Sequence, residues 1–247
     1  MKTARKPAEP FTSHSPWVVV PTYNEIENIA QLITQLYGLG IDNLTVLIVD
    51  DNSPDGTADA VRGLESQFPS VQLVVRDNKA GLGKAYVHGF TYALEHGADA
   101  IVQMDADFSH SPKDVSRLLG ELQENDLVVG SRYSQGISVV NWPLKRLLIS
   151  IGGNLYARII TGLPLSDSTG GFKAWRADTL RGIHIETSDA DGYGFQIVNN
   201  YRAWKQGYQV KEIPIVFTER REGQSKMTTK IIKEAIVLVW RLRLMGK

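Results

Sequence analysis

The chain has 247 residues, 43% of them hydrophobic, which is enough for one large α/β domain or two small ones with a full core. It contains no cysteine, which excludes disulfides, thiolate metal sites and cysteine nucleophiles, so a bound metal needs oxygen or imidazole ligands. The net charge is zero, but residues 202–247 contain 11 Lys and Arg against 4 Glu. This basic end is either a solvated helix face or a surface for phosphate or an anionic membrane, and we favour the second interpretation.

Neither a signal peptide nor a membrane span is expected. Residues 1–16 carry basic side chains without an apolar stretch behind them, which is typical of a loose tail. The longest uncharged apolar segments, 147–157 and 235–240, are shorter than the roughly 20 residues of a spanning helix. The sequence therefore predicts a cytoplasmic protein.

In the first half, short β-branched segments alternate with helical patterns. Strands are predicted over 17–21, 44–50, 71–75, 100–104 and 127–130, and helices around the apolar stripe 29–36 and over 57–68 and 80–96. This alternation predicts an α/β fold with a mostly parallel sheet covered on both faces. Ligands of such sheets bind beyond the carboxyl ends of the strands.

The second half of the chain lacks the regular alternation of strands and helices. It predicts a helix over 142–163, a glycine-rich segment at 169–172, a helix over 192–205, a strand over 210–218 and a basic C-terminal helix. No repeat or linker interrupts it. We therefore expect a flexible tail over 1–16, one folded domain over 17–226 and a basic amphipathic helix over 227–247.

Acidic residues follow two of the predicted strands. One strand leads into Asp50 and Asp51, and another leads into Asp105 and Asp107. Residues i and i+2 of an extended segment point the same way, so Asp105 and Asp107 can present two carboxylates to one point. Such a pair favours a hard divalent cation, Mg²⁺ or Mn²⁺, that shares its ligands with substrate phosphates.

Simpler interpretations stay open for these polar groups. Acidic residues also cap strands and open turns, and the Asp55–Gly56 pair is a strong turn signal ahead of a helix. A carboxylate in that turn can equally accept hydrogen bonds from a base or a ribose. The glycines at 81 and 83 match no phosphate-loop pattern and predict only a turn, and we leave His110 out of the site.

Four cationic residues of the second half are candidates for phosphate binding. Arg132 follows a strand, Arg146 opens an apolar helix, and Arg220 and Lys226 flank a loop. Guanidinium groups bind phosphate oxygens through two hydrogen bonds, and lysine binds them as a point charge. Gathered around a metal, they would hold two phosphorylated substrates at once.

The chain resembles family 2 glycosyltransferases with the GT-A fold, and within them it is most similar to the dolichol-phosphate (polyprenyl-phosphate) mannosyltransferases. The motifs that carry this resemblance occur in the family's order: PTYNE at 21–25, VDDNSPDGT at 49–57, DAD at 105–107, GSRY at 130–133, TGGF at 169–172, and Glu219–Arg220 followed by Ser225–Lys226. The resemblance extends over 17–226.

The resemblance implies roles for individual residues. The guanosine of GDP-mannose would be bound by Pro21, Tyr23, Glu25, Val49 and Asp51. The metal and the diphosphate would be held by Asp105, Ala106 and Asp107, with Ser109 where some relatives carry a glutamine ligand. Donor or acceptor phosphate would be contacted by Arg132, Arg220 and Lys226, and lipid phosphate by Arg146 and Ser150.

The implied reaction is a single displacement that turns the α-linked donor into a β-linked mannosyl phosphopolyprenol, with GDP as the leaving group. The acceptor phosphate has a second pKa of about 6 and is largely dianionic at neutral pH, so a dedicated general base is unnecessary. Asp167 is the candidate if one is used.

The resemblance also implies a protein that lies peripherally on the cytoplasmic face of a membrane. The apolar side of the 143–160 helix and the C-terminal helix are candidate contacts, and a separate membrane-anchoring protein is a further possible partner. We expect no nucleic-acid partner.

Two other functions stay open. A related enzyme could use another donor, such as UDP-glucose, with a lipid-phosphate or glycan acceptor. A non-catalytic nucleotide-binding module is the alternative of a different class, and the presence of both Asp105 and Asp107 disfavours it.

Overall fold

The computed structural model describes residues 11–190, 192–219 and 237–244. Its strands are β1 Pro16–Thr22, β2 Thr45–Asp50, β3 Val71–Val75, β4 Ala100–Gln103, β5 Leu127–Ser131, β6 Val139–Val140, β7 Lys173–Arg176, β8 Val210–Pro214 and β9 Phe217–Thr218. Its helices are α1 Ile26–Tyr37, α2 Thr57–Arg62, α3 Leu82–Glu95, α4 Asp114–Glu121, α5 Leu144–Thr161, α6 Ala177–Gly182 and α7 Gly192–Lys205. A 3₁₀ turn covers Ile185–Thr187, and residues 237–244 are helical.

Within these residues, seven strands form one sheet in the order β3-β2-β1-β4-β7-β5-β8. The pairs β1–β2, β1–β4, β2–β3 and β5–β8 are parallel, whereas β7 runs antiparallel to both β4 and β5. The mostly parallel sheet that the sequence predicts is thereby confirmed. Because β7 is antiparallel to β4, its first residue, Lys173, lies at the same edge of the sheet as the carboxyl end of β4. The residues just before β7 therefore lie near those that follow β4.

The core lies on both faces of the sheet, because successive side chains of a strand point to opposite faces. Val18 and Val20 of β1 belong to the cluster that includes α1 and α4, whereas Val19 belongs to the cluster that includes α3. Gly89 allows α3 to approach closely, since a Cβ there would lie 2.5 Å from Cγ1 of Val19. This approach brings the first turns of α3 beneath the ends of β1 and β4.

The structure also corrects some predicted boundaries. The helix expected over 57–68 ends at Arg62, where Gly63 follows and the chain continues in turns. The strand expected over 210–218 is two strands, because β8 ends at Pro214 and β9 pairs with β6 in a separate small sheet. The sequence analysis missed α4, α6 and β7, which are only 8, 6 and 4 residues long.

Among the described residues, the model contains no helix with both the length and the apolar character that a membrane span requires.

Candidate active site

An open cavity of about 1160 Å³ lies beyond the carboxyl ends of β1, β2 and β4. This is where ligands bind to sheets of this kind. Its wall contains many of the residues assigned above to donor, metal or phosphate: Pro21, Tyr23, Glu25, Asp51, Asp105, Ala106, Asp107, Ser109, Arg132 and Arg146. In the described part of the chain, Val49, Ser150 and Asp167 are not in that wall, and Arg220 and Lys226 lie outside the described residues.

The turn after β2 contains acidic residues of two kinds. Asp50 is fully buried and accepts hydrogen bonds from Thr22 Oγ1 at 2.7 Å and from the backbone nitrogen of Ser53 at 2.8 Å. Asp55 accepts hydrogen bonds from Thr57 and from the backbone nitrogen of Ile26, which ties this turn to α1. The turn interpretation is therefore correct for Asp50 and Asp55.

Asp51 is the acidic residue of this turn that faces the cavity. Its Oδ1 lies 2.7 Å from Nη1 of Arg76, which the sequence analysis did not single out. Burial raises the pKa of Asp51, and Arg76 and Lys79 oppose that rise. The carboxylate is thus partly neutralised and able to accept hydrogen bonds from a neutral polar ligand.

The aromatic ring of Tyr23 forms a second element at this end of the cavity. It is 37% exposed, and Nζ of Lys79 lies 3.6 Å from its centroid. Gly81 and Leu82 also line the cavity. They belong to the glycine-containing segment that the sequence analysis interpreted only as a turn. Val49, expected nearby, points its side chain into the core against α3, so only its backbone could contact a ligand.

Asp105 is held by a residue that the sequence analysis missed. The hydroxyl of Tyr86 on α3 is 2.7 Å from Asp105 Oδ1, and its ring is fully buried beside Phe90 and Phe195. Burial and the charges of Asp105 and Asp107 raise the pKa of Tyr86 well above its usual value. The hydroxyl therefore stays protonated and donates, which fixes one oxygen of Asp105 and leaves Oδ2 for the cavity.

The loop after β4 turns sharply at Phe108, which has a left-handed φ of 56°. This turn lets the backbone nitrogen of Ser109 donate to Asp107 Oδ1 at 3.0 Å, and both residues line the cavity. Within the described ranges, no three acidic or histidine side chains gather as a metal site. Two partly exposed carboxylates still fit an oxygen-seeking ion such as Mg²⁺ or Mn²⁺ that takes its remaining ligands from a diphosphate.

His110 lies on the cavity wall although it was left out of the predicted site. Its ring stacks on Phe172 and meets the edge of Phe217, and its Nδ1 has no hydrogen-bond partner among the described residues. Burial lowers the pKa of His110 despite the opposing charges of Asp105 and Asp107. His110 thus contributes a largely buried ring to the cavity wall, and its Nδ1 is shielded from solvent.

Arg132 and Asp167 form a buried ion pair. The guanidinium donates from Nε to Oδ2 and from Nη2 to Oδ1, both at 2.6 Å, while Nη2 also contacts Thr169 Oγ1 at 2.9 Å. Arg132 is 6% exposed and Asp167 is 0% exposed. Both oxygens of Asp167 are thus occupied below the cavity surface, an arrangement that disfavours the general-base role considered above.

Arg146, near the start of α5, lines the same cavity as Asp51. It pairs with Glu219, and its guanidinium lies 4.1 Å from the ring centroid of Trp142. Ser150, one turn further along α5, accepts a hydrogen bond from the Tyr133 hydroxyl at 2.7 Å. An anion that binds Arg146 must therefore compete with the carboxylate of Glu219.

The C-terminal helical segment 237–244 also reaches the cavity, through Val237, Leu238 and Arg241. The sequence analysis had considered this basic end of the chain as a surface for phosphate or for an anionic membrane, and had proposed the C-terminal helix as a membrane contact. The other parts of the predicted C-terminal helix, 227–236 and 245–247, lie outside the described residues.

Proteins of similar sequence include several with mannosyltransferase names. The chain is 46% identical to the undecaprenyl-phosphate mannosyltransferase of Micrococcus luteus, with 90% of this chain and 91% of that protein covered. It is 42% identical to the polyprenol monophosphomannose synthase of Mycolicibacterium smegmatis, with 92% and 86% covered. It is 35% identical to the dolichol-phosphate mannosyltransferase of Pyrococcus furiosus, with 91% and 62% covered.

Solved structures of glucosyl-3-phosphoglycerate synthase from Mycobacterium tuberculosis have the same fold. The complex of that enzyme with Mn²⁺, UDP and glucosyl-3-phosphoglycerate superposes with a TM-score of 0.66 at 18% identity, over 94% of this chain and 80% of that one. The likeness supports the fold alone, and it confirms the GT-A arrangement that the motifs implied. The model of the family described as Glycosyl transferase family 2 matches residues 17–183. The chain belongs to glycosyl transferase family 2.

Proposed function

We propose that this chain transfers mannose from GDP-mannose to a polyprenyl (dolichyl) phosphate, with inversion, to give β-mannosyl phosphopolyprenol and GDP. The observation that carries the proposal is that the wall of one cavity contains a pair of carboxylates, Asp105 and Asp107, together with polar groups for a nucleoside and with Arg146. The names of the relatives that are 35–46% identical support mannose and a polyprenyl phosphate as the substrates.

In this proposal the donor lies along the strand ends. Pro21, Tyr23, Glu25, Asp51 and the backbone of Val49 surround the guanosine. Asp105, Asp107, the backbone of Ala106 and the hydroxyl of Ser109 would hold Mg²⁺ or Mn²⁺, and the ion would supply positive charge to neutralise the diphosphate. Arg220 and Lys226, outside the described residues, are proposed to contact the same phosphates.

The acceptor approaches from the Arg146 side. Arg146 takes the lipid phosphate in exchange for Glu219, and Ser150 lies one turn further along the same helix. A phosphate oxygen then bonds to the anomeric carbon while the bond to the GDP oxygen breaks. The phosphate is largely dianionic near neutral pH because its second pKa is about 6, so no residue needs to remove a proton. Arg132, which lines the cavity while it is paired with Asp167, is a further cation proposed to contact the phosphates.

The assay for this function uses purified protein, radiolabelled GDP-mannose, Mg²⁺ or Mn²⁺ and a short polyprenyl phosphate. We expect label in the organic extract as a β-linked mannosyl phosphate, and little transfer from UDP-glucose because its base would leave the polar groups of a guanine site unpaired. Equal transfer from UDP-glucose would favour the alternative donor. Absence of any lipid-linked product with either donor would contradict the proposal.

Arg146 provides a prediction about the acceptor. Replacement of Arg146 by Ala should raise the KM for polyprenyl phosphate by at least about 10-fold, because a charge-assisted bidentate contact is lost, and should change the KM for GDP-mannose less than about 2-fold. Arg62→Ala is the matched control, since Arg62 is an exposed arginine on α2 that does not line the cavity. An effect confined to GDP-mannose would reassign Arg146 to the donor.

We further propose that α5 meets the cytoplasmic face of a membrane. Its outer side exposes four large apolar residues at helical spacing, namely Leu144, Leu148, Leu155 and Ile159. Lys145 and Arg158 are exposed basic residues of the same helix. Apolar area next to basic side chains is the pattern by which helices bind anionic bilayers. A separate membrane-anchoring protein could use the same surface.

Liposome flotation tests this contact. We expect Leu148→Gln/Ile159→Gln to reduce the fraction bound to anionic vesicles several-fold, because two exposed apolar side chains no longer enter the interface. Val75→Gln is the control, since Val75 is an exposed apolar residue on the edge strand β3 and does not belong to α5. Equal flotation of all three proteins would contradict the membrane contact.

A further inference from the structure

The order of the strands in the sheet sets the order in which the residues at their ends follow one another along the cavity. Asp51 follows β2, Tyr23 follows β1, and Asp105 follows β4, while Gly171 comes just before β7, the next neighbour in the sheet. Because β7 is antiparallel to β4, Gly171 lies at the same edge as Asp105, on the side away from Asp51. A nucleotide sugar is a linear arrangement of nucleoside, diphosphate and sugar. With the nucleoside at Asp51 and the diphosphate at Asp105, the sugar lies over Gly171.

Gln196 borders this space. It belongs to α7, is 4% exposed and lines the cavity. A Cβ placed on Gly171 would lie 3.7 Å from Asp105 Oδ2 and 3.7 Å from Gln196 Nε2. The carboxylate oxygen and the amide nitrogen therefore face the same region, which the absence of a side chain at Gly171 keeps open.

Two buried donors fix the orientation of the Gln196 amide. Its Oε1 accepts a hydrogen bond from Lys173 Nζ at 2.7 Å and another from Gln103 Nε2 at 3.0 Å. With Gln103 in its present orientation, a turned-over amide would place its NH₂ group against the NH₂ group of Gln103 and would leave the Lys173 nitrogen without its acceptor Oε1. Nε2 is consequently directed to the cavity as a hydrogen-bond donor.

Burial of the Lys173 side chain in the core costs free energy, because its amine loses its hydration. Its side chain is fully buried, and burial lowers its pKa well below the usual value, against a weaker opposing effect of Asp167. A methionine has a similar shape and would not incur the desolvation cost of an amine. The lysine nitrogen can donate to Gln196 whether or not it is charged, so its benefit lies in the bond that it makes.

We propose that Gln196 donates a hydrogen bond to a hydroxyl of the sugar carried by the donor nucleotide, and that Lys173 and Gln103 are positioning residues that keep its amide nitrogen turned toward that sugar. The inference rests on the proposed nucleotide-sugar function. It concerns sugar recognition and leaves the binding of the nucleoside diphosphate unchanged.

The test compares the dissociation constants of GDP-mannose and GDP, each with Mn²⁺, by calorimetry. In the double variant Lys173→Met/Gln196→Met, the amide and one of its two donors are replaced by apolar groups of similar shape, which limits the loss of stability to that of an unpaired Gln103 amide. We expect the Kd of GDP-mannose to rise about 10-fold, as for one lost buried hydrogen bond, and that of GDP to stay within about 2-fold. Asn199→Ala, a change of another buried amide on α7, should leave the ratio of the two constants unchanged.

Lys173→Met alone provides a second readout and decides the matter if the double variant does not fold. It should keep or raise the thermal midpoint while it weakens GDP-mannose relative to GDP, a combination that a purely structural lysine would not give. Equal weakening of both nucleotides, or no weakening of either, would overturn the inference while the donor assignment stands. If the wild-type protein itself failed to bind GDP-mannose, the proposed function would be contradicted and this inference with it.

Discussion

The variant Asp107→Asn is expected to transfer mannose roughly 10³-fold more slowly than the wild type and to remain folded. Asn keeps an oxygen that can accept the hydrogen bond from the Ser109 nitrogen, so the turn at Phe108 is preserved. It removes the negative charge that, together with Asp105, would hold a divalent cation beside the departing diphosphate. The loss should therefore appear in catalysis and not in stability.

Initial rates of the wild type and the variant at saturating Mn²⁺ provide the comparison, with the thermal midpoint as a check of folding. Asp178→Asn is the matched control, because Asp178 is an exposed aspartate of α6 that pairs with Arg181. Transfer by Asp107→Asn at a rate close to that of the control would show that this carboxylate is not a metal ligand.

The second large effect is on stability. Replacement of Asp167 by Asn should lower the free energy of unfolding by about 3–5 kcal/mol, because it leaves the buried guanidinium of Arg132 without a charge partner. Arg132→Met/Asp167→Leu, which removes both charges, should recover much of the loss because no uncompensated charge remains. Denaturant unfolding of the two variants measures this difference. A double variant no more stable than Asp167→Asn would contradict the account of the pair.

The same ion pair predicts a pH dependence. Burial alone would raise the pKa of Asp167, but the charge of Arg132, with hydrogen bonds from Arg132 and Thr169, holds it below its usual value. The unfolded carboxyl titrates at about pH 3.9, so the stabilisation is fully present above that pH and is lost as the pH falls through the lower pKa of the folded state. Wild-type stability should consequently fall more steeply than that of Asp167→Asn over this acidic range.

The parts of the fold with a strong local pattern could be predicted from the sequence. β1 to β5 and the longer helices have β-branched runs or apolar stripes, and the acidic residues that follow β2 and β4 indicated the edge at which the cavity lies. β7 carried no such signal, because its four residues, Lys173 to Arg176, include two cationic side chains. Its antiparallel insertion between β4 and β5 comes from tertiary pairing, which local propensity does not encode.

The partners of the site residues could not be predicted either. Arg132 and Asp167 are 35 positions apart, and Gln103 and Gln196 are 93 positions apart, so no spacing rule connects them. Arg132 was a candidate for phosphate contact and Asp167 for a general base, yet the two form an ion pair with each other. Tyr86 had the helical spacing of a core residue, and only the packing of α3 under β4 brings its hydroxyl to Asp105.

The decisive measurement is a diffraction structure of the protein with Mn²⁺ and GDP-mannose, in which anomalous scattering locates the ion. The account predicts Mn²⁺ in contact with both Asp105 and Asp107 and with the diphosphate, the guanosine beside Asp51 and the mannose over Gly171. An ion bound away from the two aspartates, or a nucleotide that lies in the reverse direction with its base over Gly171, would contradict it.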